Sequence, residues 1–126
     1  MRFSYVTILG CVLIVGCLAS GCRLASSGLY RRLQDEDPTI RAQAAIEAGK
    51  WQDSKAVPYL VDRLTDSEAA VRFFAIISLE KITGQTMEYR YYAPDSERIA
   101  AVARWRQWLD RSRGGTATSR PAEGGS

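Results

Sequence analysis

Three thiols, no imidazole and two pairs of arginines one fixed interval apart are what this chain offers for chemistry. The thiols are Cys11, Cys17 and Cys22, and none follows them. Beyond Cys22 there is therefore no thiol nucleophile, no imidazole base and none of the common nitrogen or sulfur ligands of zinc. No disulfide framework can form there either. The acidic cluster Asp35-Glu36-Asp37 lacks the further oxygen ligands and the turn glycine of a calcium loop, and its place at a helix start gives it a sufficient role in capping. No phosphate-cradling glycine loop is present. The expectation is a chain that is not an enzyme, with no metal, no cofactor and no small-molecule substrate. What remains is cationic and aromatic: Arg32 with Arg63, Arg41 with Arg72, and a C-terminal stretch in which Arg98, Arg104, Trp105, Arg106, Trp108, Arg111 and Arg113 interleave. Such side chains bind carboxylates, stack, or lie on anionic surfaces.

Cys22 has its own context. Met1-Arg2-Phe3 carries one positive charge, an apolar run follows from Tyr5 to Leu18, and small residues close it at Ser20-Gly21. The run is too short and too interrupted for a spanning helix and reads as a secretory signal over 1–21. Leu18-Ala19-Ser20-Gly21-Cys22 resembles the lipobox of bacterial lipoproteins, in which the cysteine becomes the N-terminus and its sulfur carries a diacylglyceryl group. Ile14-Val15-Gly16-Cys17 fits the same pattern with a shorter apolar core upstream. An uncleaved anchor, or a signal with incidental cysteines, is the competing reading. The lipobox resemblance implies a lipidated tether over 22–28 and a protein held on a membrane through acyl chains, on the periplasmic side of the envelope. Arg23 after the cysteine, rather than an aspartate, implies passage to the outer membrane.

The elements that must position the arginines repeat. Sliding the chain by 31 residues lays Leu29, Leu33, Asp35, Ile40, Arg41 and Ala44 on Leu60, Leu64, Asp66, Val71, Arg72 and Ala75. A period of this size marks units that bury their apolar faces only by stacking. Asp37-Pro38 predicts a helix start, Ile40, Ala44, Ala45 and Ala48 its apolar face, and Gly49 its end. A second helix opens near Asp53-Ser54 with Val57, Leu60, Val61 and Leu64 inward. Thr65 and Glu68 have capping-box spacing before a third, which carries Val71, Phe74, Ala75, Ile76, Leu79 and Ile82 and ends at Gly84. A last helix follows Pro94-Asp95 with Ile99, Val102, Trp105 and Leu109 on one stripe. Residues 29–113 then form one small domain, and 114–126, rich in Gly, Ser and Thr, a disordered tail. Without Arg2 the chain has 16 Lys+Arg against 14 Asp+Glu, a balance that makes no case for nucleic acid.

Asp37-Pro38-Thr39-Ile40-Arg41, Ala44-Ala45, Ala48-Gly49, Asp53, Ala56, Leu60 and Leu64-Thr65-Asp66 look like the HEAT-like repeat of phycobilisome-lyase type. The resemblance implies an all-α fold, a short right-handed α-solenoid of antiparallel helix pairs with about two and a half repeats, whose second helices line a concave face. If Leu60 and Leu64 correspond to Trp105 and Leu109, the last interval is 45 residues, and an aromatic segment over 84–97 is inserted. That segment, with Met87, Tyr89, Tyr91 and Tyr92, serves either as a cap on the open end of the stack or as a recognition surface.

On the concave face Arg32, Arg63 and Trp108 fall in one row. With Tyr59 they are expected to form a groove for an acidic segment of a protein partner, the alternative being a solvated helix face. Arg41 and Arg72 are expected to pair with Asp35, Asp66 or a helix end and hold the stack in register. The arginine and tryptophan pattern of the last helix offers a second role at anionic headgroups, against a plain structural one in which Trp105 is core and the arginines favour the helix C-terminus.

Overall fold

Asp37 opens the first long helix as its place in the sequence predicts. In the computed structural model, which describes residues 28–115, its Oδ1 accepts the Thr39 N–H at 2.8 Å and Pro38 takes the first turn. The helices in order are 28–32 (α1), Pro38–Lys50 (α2), Val57–Arg63 (α3, entered through a 3-10 turn at Ser54–Ala56), Ala69–Thr83 (α4) and Asp95–Gly114 (α5). Among the described residues there is no strand. The signal segment, Cys17, Cys22, the tether up to residue 27 and the tail from 116 lie outside them. No described helix is long and apolar enough to cross a membrane.

The core follows the repeat. Leu33, Leu60, Leu64, Leu79 and Trp105 are fully buried, and Ala44, Ala45, Ala48 and Ala75 are small enough for α2 and α4 to lie close. Gly49 belongs to that contact and does not end α2, which continues to Lys50 with Trp51 as its cap. A Cβ on Gly49 would fall 2.5 Å from Ser78 Oγ and 2.9 Å from Ser78 Cβ. At the same crossing Ser78 Oγ donates to Ala45 O at 2.6 Å. The left-handed turn after α2 is made by Gln52 instead (φ 49). Gly84 does end α4, at φ 71, where its missing Cβ removes the steric cost of that conformation.

Two further expectations are corrected. Thr65 and Glu68 make no capping box: Thr65 Oγ1 donates back to Asp62 O at 3.0 Å, and Asp66 Oδ1 takes the Glu68 N–H at 3.1 Å. The charged Asp66 carboxylate, two residues before the amide, takes the place of the Thr65 hydroxyl, as Asp side chains do in turns. Ile99 is 64% exposed and leaves the buried stripe of α5, which holds Ala101, Val102 and Trp105.

The segment before α5 decides the C-terminal end. Tyr89 is buried and its Oη donates to Leu64 O, at the end of α3, at 2.6 Å. The Tyr91 carbonyl accepts Arg72 Nε, near the start of α4, at 3.1 Å. The chain therefore returns from the end of α4 to its beginning, through left-handed Met87 (φ 52) and Glu88 (φ 57). From there α5 runs along α3. Its last turns, at Trp108, Leu109 and Ser112, border Ser54, Val57 and Pro58 at the start of α3 and Ile82 and Thr83 at the end of α4. So α5 is antiparallel to α3, whereas α1 lies parallel to α3, with Tyr30 stacked on Tyr59. The proposed equivalence of Leu60 and Leu64 with Trp105 and Leu109 does not hold in space, because the inserted segment reverses the helix that follows it. That segment packs as a cap, with Tyr92 alone of its tyrosines left exposed.

Candidate functional site

Arg41 and Arg72 lie at the joints between units. Arg41 Nη1 donates to the Asp35 and Glu36 carbonyls, each at 2.8 Å, and Arg72 Nη1 donates to the Asp66 and Ser67 carbonyls at the same distances. These are the loops before α2 and α4, one repeat apart. Arg41 then reaches the next loop, where Nε and Nη2 meet the Asp66 carboxylate at 2.7 and 2.8 Å. The pair is buried, with side-chain exposures of 10% and 3%. Burial favours the neutral acid, but the hydrogen bonds from Arg41 and the Glu68 N–H, with the charges of Arg41 and Arg63, hold the Asp66 carboxyl below its ordinary value. The same hydrogen bonds raise Arg41 despite its burial. Arg72 has Tyr91 O where Arg41 has a carboxylate.

The residues expected to form one groove are divided. Arg32 pairs with Glu47 of α2 at 2.5 Å, both about two-fifths exposed. Arg63, at the C-terminal end of α3, leans on Asp66 at 3.4 Å while its Nε is buried without a partner. Trp108 lies edge-on to Trp105 and faces the opposite end of α3, in an apolar hollow of about 480 Å³. The reversal of α5 separates it from Arg63, since the row that joined them presumed three parallel helices.

Tyr59 belongs to a different hollow. It stacks on Tyr30, ring centroids 5.0 Å apart and 3° from parallel. Tyr30 Oη donates to Asp53 Oδ2 at 2.9 Å, while Asp53 Oδ1 accepts the Lys55 N–H and so starts the 3-10 turn. The Tyr30 hydroxyl is pushed up to about 12 by burial first, then by the hydrogen bond and charge of Asp53. Between α1 and α3 the two rings border a shallow hollow of about 700 Å³ with Arg31, Gln34, Asp35 and Glu36. The pattern of the sequence missed Tyr30 and Glu47. Tyr30 stands 29 rather than 31 residues from its stacking partner, outside the repeat register.

The pair of matching joints has a counterpart in sequence: the profile of HEAT repeats matches residues 26–103, more than half of the chain. The chain belongs to the HEAT-repeat family. No curated protein matches it. HEAT repeats serve in general as protein-interaction scaffolds. In this HEAT-repeat protein the buried charges, Arg41, Asp66 and Arg72, are all engaged in stacking the units. No group of three or more metal-ligating side chains occurs among the described residues. The α1–α3 surface presents polar and aromatic groups together: Arg32 is matched there by Glu47, and the hollow carries the carboxylates of Asp35 and Glu36. The expectation that Arg32, Arg63, Trp108 and Tyr59 form one groove for an acidic segment is thereby corrected: both arginines already face carboxylates of the same chain.

Proposed function

We propose that this HEAT-repeat protein is a lipid-anchored, non-catalytic adaptor of the bacterial cell envelope. Cys22 carries the acyl chains, and the repeat domain stands on the periplasmic side, at the outer membrane, holding a protein partner. The carrying observation is the α1–α3 surface: two repeat helices stack the Tyr30 and Tyr59 rings beside a polar hollow, while Arg41 and Arg72 at the joints are engaged within the chain. Arg32 and Tyr59 are the contacts we assign to it. Arg63 and Trp108 support the ends of α3.

The anchor supports the reading by distance. At roughly 3.5 Å per residue, six residues from Cys22 to the start of α1 reach at most about 20 Å, so an anchor at Cys22 would keep the domain close to the bilayer surface. Two or three acyl chains on one residue suffice for stable attachment. Crosslinking in living cells, followed by affinity purification and mass spectrometry, tests the adaptor role. One reproducible partner, lost when Arg32→Ala and Tyr59→Ala are combined in a chain with unchanged circular dichroism, is the expected result. No partner at any crosslinker concentration sinks it. Labelling with an alkyne fatty acid tests the anchor: Cys22→Ala should abolish it and release the protein from the membrane fraction, whereas Cys17→Ala should not.

A further inference from the structure

Asp35 and Asp66 occupy equivalent places and make the same local turn. Asp35 Oδ1 accepts the Asp37 N–H at 3.0 Å, and Asp66 Oδ1 the Glu68 N–H at 3.1 Å. The carbonyls of Asp35 and Glu36 hold Arg41 as those of Asp66 and Ser67 hold Arg72. The difference lies in the carboxylates. That of Asp66 is filled by the bidentate guanidinium of Arg41 from the preceding unit, while that of Asp35 meets no cation among the described residues.

We infer that the Asp35 end of the array is a docking surface for an arginine-bearing segment of a partner protein, its guanidinium taking at Asp35 the place that Arg41 takes at Asp66. The inference rests on the adaptor reading and gives its partner a chemistry. Three observations favour that occupant. The surface continues an interface already built within the chain, with a bidentate ion pair as its pattern. The hollow adds the Glu36 carboxylate, and the rings of Tyr30 and Tyr59, fixed by stacking and by Asp53, wall a path suited to the flat guanidinium and its apolar stem. The other end of the array is closed, because Tyr91 O occupies Arg72. A second copy is the poorer occupant: its Arg41 is committed to Asp66 and its Arg72 to three carbonyls.

The probe is a peptide of this chain's own residues 38–50, which present Arg41 to Asp66, made once with arginine and once with citrulline, the neutral isostere, at that position. Full-length isotope-labelled protein in detergent micelles is titrated with each and followed by amide chemical shifts. Saturable shifts at Tyr30, Asp35, Glu36 and Tyr59, with about tenfold weaker binding of the citrulline peptide, are expected. Asp35→Asn keeps the acceptor for the Asp37 N–H and so keeps the turn, yet should weaken the arginine peptide to the citrulline level. Arg31→Gln, which removes a like charge from the hollow, should tighten it. Equal binding of the two peptides, shifts centred elsewhere, or no saturable shift overturns the inference. So does movement of the Asp35 amide on concentrating the protein alone, which would assign the hollow to a second copy. A cellular partner found by crosslinking beside a negative titration removes only this site, whereas failure of both removes the adaptor reading as well.

Discussion

The two joints of the stack begin alike and end differently. Arg41 and Arg72 each hold two carbonyls of the loop before their own helix, but Arg41 continues into a buried carboxylate and Arg72 into a backbone oxygen of the inserted segment. The first arrangement can be repeated, since every unit that brings an aspartate loop can receive an arginine from the one before. The second cannot: a carbonyl from a segment that reverses the chain direction offers no further loop. The array thus carries its stop at the C-terminal side as a substitution of acceptor, with Tyr89 locked on Leu64 O and α5 laid antiparallel to α3. The N-terminal side keeps the acceptor, and no arginine donor reaches it among the described residues.

Removing one arginine at a time separates the two joints most directly. Arg41→Ala leaves the Asp66 carboxylate buried without its main partner, which costs about 3–5 kcal/mol. Arg72→Ala leaves only neutral carbonyls behind, and should cost about 1–3 kcal/mol. Urea unfolding of both variants measures the gap, and equal losses would mean that the carboxylate makes no difference between the joints. Gly49→Ala tests the packing next to them. Ser78 stands where the new methyl would go, in contact through its Cβ and backbone as well as its hydroxyl, so a loss of about 1–3 kcal/mol is expected. A melting temperature within one degree of the parent would show that α2 and α4 slide apart freely.

Much of the N-terminal half was legible because local chemistry and period agree there. Asp37-Pro38 announces a cap, and the interval of 31 residues puts Arg41, Asp35 and Asp66 into one argument. Gly49 misled because a glycine at the end of an apolar pattern looks the same whether it turns the chain or admits a neighbouring helix, and only the place of Ser78 distinguishes the two. The direction of α5 could not be read at all. An apolar stripe records which face is buried and is silent about which way the helix runs, so Trp105 and Leu109 matched Leu60 and Leu64 in spacing while running the other way. The groove expected at Arg32, Arg63 and Trp108 inherited that error, and Glu47, the partner of Arg32, has Ser78 at its equivalent place one repeat on, so the period records no acid there. HEAT-type stacking was visible in sequence. The anchor rests on residues outside the described part of the chain.

Tyr89→Phe gives a smaller effect and sharpens the account of the C-terminal stop. It keeps the ring and removes only the hydroxyl that donates to Leu64 O, for a loss of about 1 kcal/mol. If the inserted segment is an independent flap, amide exchange should rise in residues 85–94 alone. If it is the stop for the stack, exchange should rise in α4 and α5 together. The smallest effect is set by pH. Because the Asp66 carboxyl lies below its ordinary 3.8 in the fold, its contribution is fully present above that value and is lost as the pH falls through the lowered one. Parent stability should therefore be level from neutral pH down to about 5 and decline below 4. Part of that decline should vanish in Asp66→Asn, which has no proton to take up there. At the other joint, where Arg72 meets only carbonyls, no acid step is available. An Arg72→Ala chain should therefore keep the whole acid decline of the parent, and losing it would show that the two joints are coupled and the contrast between them is apparent only at neutral pH.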